Sequence, residues 1–375
     1  MAVVKLNNIR PEMLRWAIER AGYNEESAEK RFPQVELWLS GEKQPTVRQL
    51  QTFAQKFYVP FGYLFLTQPP VEKIPFPMFR GTAGIEDKFD LNVYDTVIDI
   101  QRRQDWLEDY LTENELDTCS FIGCVSLQTP IGKTVDLLRQ ILHLDSRWAF
   151  SLANSEAAVN KLSQQLEEAG VFVAYNGIVG NNTHRPVQVD ECRGFALVNN
   201  VAPYIFINST DSKAAQLFTL IHETAHLMLG ISAGHAGEED YLHDTNEHYC
   251  DAVAAEFLVA ADLIREMWNE SVDIKKLAHR FKVSEIVVAR RAHDLRLLSD
   301  ADYRSFWLQY SHRPHSNKKT TSGGNFYLTS VKRVGRTFAI HVRNAVNSRQ
   351  LSYTEAYRLT GLYGTTYQNF MEKNI

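Results

Sequence analysis

Apolar residues recur at helical spacing through most of the chain, and the first such run lies between Leu14 and Ala21. Gly22 ends that run, as glycine often does after the last turn of a helix. Shorter helical stretches follow it, and the turn-like sequence WLSGEKQPT separates two of them. This pattern predicts a small helical domain over residues 1–70.

Turn-forming residues indicate where the chain passes from one domain to the next. Prolines and glycines are concentrated at residues 71–92, which we interpret as a linker. The polar, Ser/Gly/Lys-rich residues 311–325 predict a second linker. A central domain is therefore expected over residues 93–310, and a basic helical C-terminal segment over residues 326–375.

Three stretches inside the central domain are typical of strands, because Val, Ile, Phe and Tyr dominate them. They are VFVAYN, CRGFALVN and PYIFINST. The third stretch, residues 203–210, is either an edge strand that pairs with an extended peptide or an ordinary core strand. The predicted fold class is α+β, mostly helical, with a small sheet.

The helix that follows these strands carries the most informative side chains. Ser209 or Asp211 can cap its start, and Gly230 can end it. His222 and His226 lie four residues apart, so one helical turn places both imidazoles on the same face. That spacing suits two ligands of a tetrahedral zinc ion.

Glu223 follows the first of these histidines and lies to the side of the predicted metal, where it could accept a proton from a water molecule. A chance His-Glu-x-x-His match is expected in roughly a few per cent of sequences of this composition. The apolar residues around the motif predict a buried helix, and buried histidine and carboxylate groups need partners.

A catalytic zinc usually takes a third protein ligand. Eight side chains downstream of the motif are candidates: Glu238, Glu239, Asp240, His243, Asp244, Glu247, His248 and Asp251. Glu247 is favoured because it begins a second apolar helix, whereas residues 238–244 are typical of a solvated acidic loop. Asp251 lies one turn further on and is predicted to accept a hydrogen bond from His222.

A hydrolytic site also needs a hydrogen-bond donor for the oxyanion of its tetrahedral intermediate. Four side chains near the third ligand are candidates for that role, and the sequence does not rank them: Tyr241, His243, His248 and Tyr249.

The charge of the chain is mild on average, at −5, but it is unevenly distributed. Residues 214–264 hold nine carboxylates and no Lys or Arg, so a dication there would offset repulsion. Residues 275–350, in contrast, carry a net charge of +12. We expect a cytoplasmic protein without a membrane partner, because no secretory signal and no long apolar run is present.

The zinc motif and its surroundings resemble the ImmA/IrrE family of zinc metallopeptidases. The likeness rests on RGFALVNNVAPYIFINSTDSKAAQLFTL before the motif and on Glu247 through Val259 after it. It implies zinc on His222, His226 and Glu247, with Glu223 as general base. Two positions depart from the family's usual pattern. Asp251 stands where the family often has Asn, and Ala260 where it often has Pro.

The resemblance extends beyond the peptidase, because the first 70 residues are similar to XRE-class helix-turn-helix domains. It implies a cytosolic endopeptidase that cleaves an XRE-type transcriptional repressor. Such cleavage would derepress stress, mobile-element or toxin–antitoxin genes, and a toxin-like protein is a further candidate partner. The alternative is a transcription regulator or antitoxin-like binding protein with a vestigial or structural metal site.

Two segments raise the question of DNA binding. Residues 1–70 carry nine basic and seven acidic side chains, so they offer few phosphate contacts. Docking onto a repressor or another partner is the rival use of this domain. Residues 273–299 form a second, more basic helix-turn-helix-like segment, which either binds DNA or packs as part of the peptidase fold.

Overall fold

The computed structural model describes residues 6, 9–74, 78–79, 90–116, 119–235, 245–270, 273–313 and 326–375, with the backbone alone at 78, 79, 235, 269 and 270. The described residues pack as two compact units. The first takes in the chain up to residue 74 together with residues 90–94, and the second takes in residues 78–79 and the chain from Asp95 onward.

Short helices around an aromatic core build the first unit. Asn24 and Thr46 cap two of them, each in a reciprocal arrangement with the residue three positions later. Phe53 and Trp38 are both buried in the core. The elements are α1 Pro11–Arg20, α2 Glu25–Arg31, α3 Val35–Leu39, α4 Val47–Lys56 and a 3-10 helix Phe61–Phe65.

Most of the second unit is helical. Its helices are α5 Leu91–Glu113 (from Asp95 onward), α6 Ile131–Ile141, α7 Ser155–Glu168, α8 Lys213–Leu229, α9 Thr245–Leu258, α10 Ala261–Glu270, α11 Ile274–Phe281, α12 Glu285–Asp294, α13 Asp300–Ser311, α14 Phe326–Val334, α15 Arg336–Asn347, α16 Tyr353–Thr360 and α17 Gly364–Asn374. None of the described helices is long and apolar enough to cross a membrane.

A mixed sheet of five strands packs against these helices, which agrees with the expected α+β class. In chain order the strands are β1 Met78–Phe79, β2 Phe172–Asn176, β3 Gly194–Leu197, β4 Tyr204–Asn208 and β5 Ala233–His235. They lie side by side in the order β1-β5-β3-β4-β2. The edge-strand interpretation of residues 203–210 is wrong, because β4 pairs with β3 on one side and with β2 on the other.

Parts of both predicted linkers take regular structure. The strand β1 falls inside the first of them and pairs in parallel with β5, and α5 begins at Leu91, within the same stretch. The helix α13 continues to Ser311, the first residue of the second predicted linker. Residues 80–89 and 314–325 lie outside the described part of the chain.

The C-terminal segment packs against β2 within the second unit. Gly335 separates α14 from α15 with a φ of +87°, a conformation that side-chain-bearing residues rarely adopt. A Cβ atom at this position would lie 2.9 Å from the carbonyl oxygen of Val173 in β2. The close approach of these two backbones therefore requires glycine.

The helix-turn-helix-like segment, which forms α11 and α12, contributes to the same core as α8 and α9. Leu277, Phe281, Val288 and Ala292 are buried in a cluster that also contains Leu227 of α8 and many other apolar side chains of this unit. This burial supports the packing interpretation of residues 273–299. It leaves Arg290 on the exposed face of α12.

Candidate metal centre

The helix α8 brings the His-Glu-x-x-His motif into the core. Ser212 caps it, because its side chain accepts a hydrogen bond from the Ala215 amide, so the predicted caps Ser209 and Asp211 were placed too early. Gly230 ends the helix in a left-handed conformation, as expected from the sequence. His222, Glu223 and His226 are all buried within this helix.

The helix α9 supplies a carboxylate that faces both imidazoles. Glu247 is buried, and its Oε2 lies 3.1 Å from Nε2 of His222 while its Oε1 lies 3.0 Å from Nε2 of His226. The two Nε2 atoms are themselves 3.1 Å apart. Three side chains from two helices therefore converge on one point.

These separations fit the corner-to-corner distances of a tetrahedral metal site. Zinc–nitrogen and zinc–oxygen bonds of about 2.0–2.1 Å place neighbouring ligand atoms about 3.3 Å apart. His222, His226 and Glu247 form the one group of histidine, cysteine and acidic side chains in the described residues that could hold a metal ion. Two imidazoles and a carboxylate are a donor set that suits zinc.

Asp251 holds the first histidine from the side opposite the convergence point. Its Oδ1 lies 2.9 Å from Nδ1 of His222, so the ring donates its Nδ1 proton to this carboxylate. Burial lowers the pKa of His222, but the hydrogen bonds and charges of Asp251 and Glu247 outweigh that effect and raise it well above its ordinary value. The surroundings of this imidazole therefore favour positive charge.

Glu223 is fully buried beside the three converging ligands. Neither of its carboxylate oxygens meets hydrogen-bonding geometry with a described residue. Burial raises its pKa to about 8, the charge of His222 opposes this rise, and the charge of Glu247 adds to it. The backbone amide of Ala196 in β3 also lowers this pKa and offsets only part of the effect of burial.

The structure describes two of the four candidate oxyanion donors, Tyr249 and His248. Tyr249 is buried, and its hydroxyl lies 2.6 Å from the hydroxyl of Thr134 in α6. The same hydroxyl donates to the carbonyl oxygen of Thr129, just before α6, across 3.0 Å, so Tyr249 anchors α9 to α6 and to the residues before it. This structural contact replaces the oxyanion role considered for Tyr249. His248 is exposed, and Tyr241 and His243 lie outside the described residues.

Sequence reasoning missed the residues that hold α9 from outside the motif. Thr134 lies more than 100 residues before Tyr249, and Arg139 and Arg291 reach the far end of α9 from α6 and α12. No local pattern could have found these residues, because each contact joins elements that are distant in the sequence.

Comparison with known families adds two matches. The family described as the IrrE N-terminal-like domain, an M78 peptidase family, matches residues 166–293, which span β2 through most of α12. A domain of unknown function (DUF8813) matches residues 334–373. No curated protein shows significant similarity to the chain. The first match covers about a third of the sequence and contains the three candidate ligands and Glu223. It supports the resemblance to the ImmA/IrrE family and indicates a metallopeptidase of that kind.

Proposed function

We propose that this protein is a zinc-dependent endopeptidase. The observation that carries the proposal is the position of Glu223, a fully buried carboxylate that does not meet hydrogen-bonding geometry with a described residue, next to His222, His226 and Glu247. A fully buried carboxylate is costly to maintain. A structural metal site would not need it, whereas a hydrolytic site needs a general base there.

The metal ion and Glu223 would have different roles in peptide hydrolysis. Zinc, when bound, supplies a Lewis acid that polarises the scissile carbonyl and makes a water molecule more acidic. Glu223 accepts the proton of the attacking water and passes it to the leaving amine. The hydrogen bond from His222 to Asp251 fixes the ring that faces Glu247.

We further propose that the substrate is a regulatory protein, with an XRE-type repressor as the first candidate. The support is the resemblance to the ImmA/IrrE family. In the N-terminal domain, α3 is only five residues long and buries Val35 and Trp38, while Glu36 is exposed. The helix α3 therefore offers little basic surface for DNA. We propose instead that the N-terminal domain docks onto a protein in the cytoplasm, either the repressor or a toxin-like partner.

The decisive variant is Glu223→Gln, which keeps the shape of the side chain and removes the base. We expect the purified protein to bind about one zinc per chain, and Glu223→Gln to retain that zinc and lose at least 100-fold in cleavage of a cognate repressor. The matched control is Glu266→Gln, an exposed glutamate on α10, which should leave cleavage unchanged.

Two outcomes would reject the peptidase proposal: a protein that takes up no zinc, or full cleavage by Glu223→Gln. If zinc is bound, no cleavage is seen and Glu223→Gln keeps the cellular function, the antitoxin-like binding protein becomes the better description. If zinc-dependent cleavage is found with another protein but never with XRE repressors, the peptidase proposal stands and the substrate proposal fails.

A further inference from the structure

The helix α9 must be held in one position for the metal centre to exist, because Glu247 reaches His222 and His226 only across the α8–α9 interface. A displacement of 1 Å at a site of this kind can cost about 100-fold in activity. Tyr249 secures the first half of α9 through Thr134. The second half is secured by a different set of contacts, centred on Glu256.

Glu256 lies nine residues after Glu247 on the same helix. At about 100° and 1.5 Å per residue, that spacing places it on the opposite side of α9, about 13 Å further along the axis. A restraint on this side resists both rotation and sliding of the helix. Either motion would carry the Glu247 carboxylate away from the two imidazoles.

Arg291 supplies that restraint from α12. Its guanidinium forms an ion pair with Glu256, and its Nε donates to the carbonyl oxygen of Val259 across 3.1 Å, just beyond the end of α9. The side chains of Arg291 and Glu256 are 11% and 20% exposed, so water screens the pair only partly. A cation at the end of a helix is also favourable to the helix dipole.

Arg139 of α6 joins the same cluster. It donates to the carbonyl oxygen of Glu256 at 3.4 Å and stands over the ring of Phe257 at 5.9 Å. The other carboxylate oxygen of Glu256 accepts from the Ala261 amide at 3.3 Å and so caps α10. Residues 214–264 contain no Lys or Arg, so the cations at the end of α9 come from other segments of the chain.

We propose that Arg291 is a positioning residue for the metal centre. In this assignment the helix-turn-helix-like segment 273–299 serves the peptidase from its buried side, by fixing the helix that carries Glu247 and Asp251. The inference rests on the proposed metal site but concerns residues that no metal ion would touch. It gives the basic segment a role that does not depend on DNA.

The test measures zinc affinity of the full chain by competition with a chromophoric chelator. We expect Arg291→Gln to bind zinc about 3- to 30-fold more weakly than the unmodified protein, which corresponds to the coupling typical of such indirect contacts. Arg291→Lys should restore part of the affinity, because it keeps the charge and loses the two-pronged geometry. The matched control is Arg290→Gln, an exposed arginine on the same helix.

A purely structural role would lower the melting temperature of the metal-free protein and leave zinc affinity unchanged, and that result would overturn the proposal. If Arg291→Gln does not fold, Glu256→Gln removes the same ion pair and should weaken zinc binding to a similar extent. With a cleavable substrate, we expect KM to stay constant while kcat falls and recovers in excess zinc. An unmodified protein that fails to bind zinc would instead reject the proposed function itself.

Discussion

His222 donates its Nδ1 proton to Asp251 across 2.9 Å, and this hydrogen bond joins α8 to α9 on the side away from the other ligands. It holds the ring so that Nε2 faces Glu247. Carboxylates in this position raise the basicity of a metal-binding imidazole and fix its orientation. We therefore expect Asp251→Ala to weaken zinc binding by about 10- to 100-fold.

The variant Asp251→Asn should lose less, because an amide oxygen still accepts the hydrogen bond but carries no charge. Zinc competition measurements on both variants should show that affinity decreases from the unmodified protein to Asp251→Asn and then to Asp251→Ala. Asp136→Asn on the exposed face of α6 serves as the control. Equal affinity in all four proteins would show that Asp251 does not support the metal centre.

Tyr249 provides a prediction that separates structure from catalysis. Tyr249→Phe removes a buried hydrogen bond to Thr134 and leaves the threonine hydroxyl short of a partner, which should cost about 1–2 kcal/mol of unfolding free energy. Because this hydroxyl is committed to α6, kcat should change by less than about threefold. Loss of an oxyanion donor would instead lower kcat by about 100- to 1,000-fold.

Gly335 should be intolerant of any side chain. Gly335→Ala places a Cβ 2.9 Å from the Val173 carbonyl oxygen and strains a φ of +87°. We expect the free energy of unfolding, measured by chemical denaturation, to fall by about 1–3 kcal/mol. Gly132→Ala is the control, because it lies in α6 with open space around it and should be neutral or slightly stabilising. Equal denaturation midpoints for Gly335→Ala and Gly132→Ala would contradict the close approach of Gly335 to Val173.

Glu167 provides a prediction about pH. Burial raises its pKa above the ordinary value of 4.5, although Thr337 and Arg336 oppose the shift. The folded protein therefore holds this proton more tightly than the unfolded chain, and stability contributed by the neutral form is lost as pH rises from 4.5 through the raised pKa.

The variant Glu167→Gln stays neutral, so its stability relative to the unmodified protein should increase between pH 4.5 and neutral pH. Denaturation midpoints at several pH values would show this, with the exposed neighbour Glu168→Gln as control. A constant difference across this range would show that Glu167 ionises normally in the folded protein.

Local periodicity was sufficient to identify the elements that carry the candidate site. Four-residue spacing placed His222 and His226 on one face, and the apolar positions around Glu247 indicated a second buried helix. The same helical geometry could have excluded Tyr249 as an oxyanion donor, since a residue two positions after Glu247 points about 200° away from it. That argument needed only the sequence.

Strand neighbours could not be read in the same way. Residues 203–210 have the composition of a strand, but composition does not say that β4 pairs with both β2 and β3. The strand β5 follows α8 and is only three residues long, which is too short to show a recognisable alternation of apolar and polar residues. The ion pair between Arg291 and Glu256 joins residues 35 positions apart and leaves no local signal either.

The C-terminal segment has a consequence for how this protein behaves in concentrated solution. Because β2 is the outermost strand on its side of the described sheet, its unpaired backbone groups would be a template for strands of other molecules. The chain around Gly335 lies against that strand and protects it. Truncation before residue 326 should therefore cause self-association, and light scattering of the shortened protein would detect it.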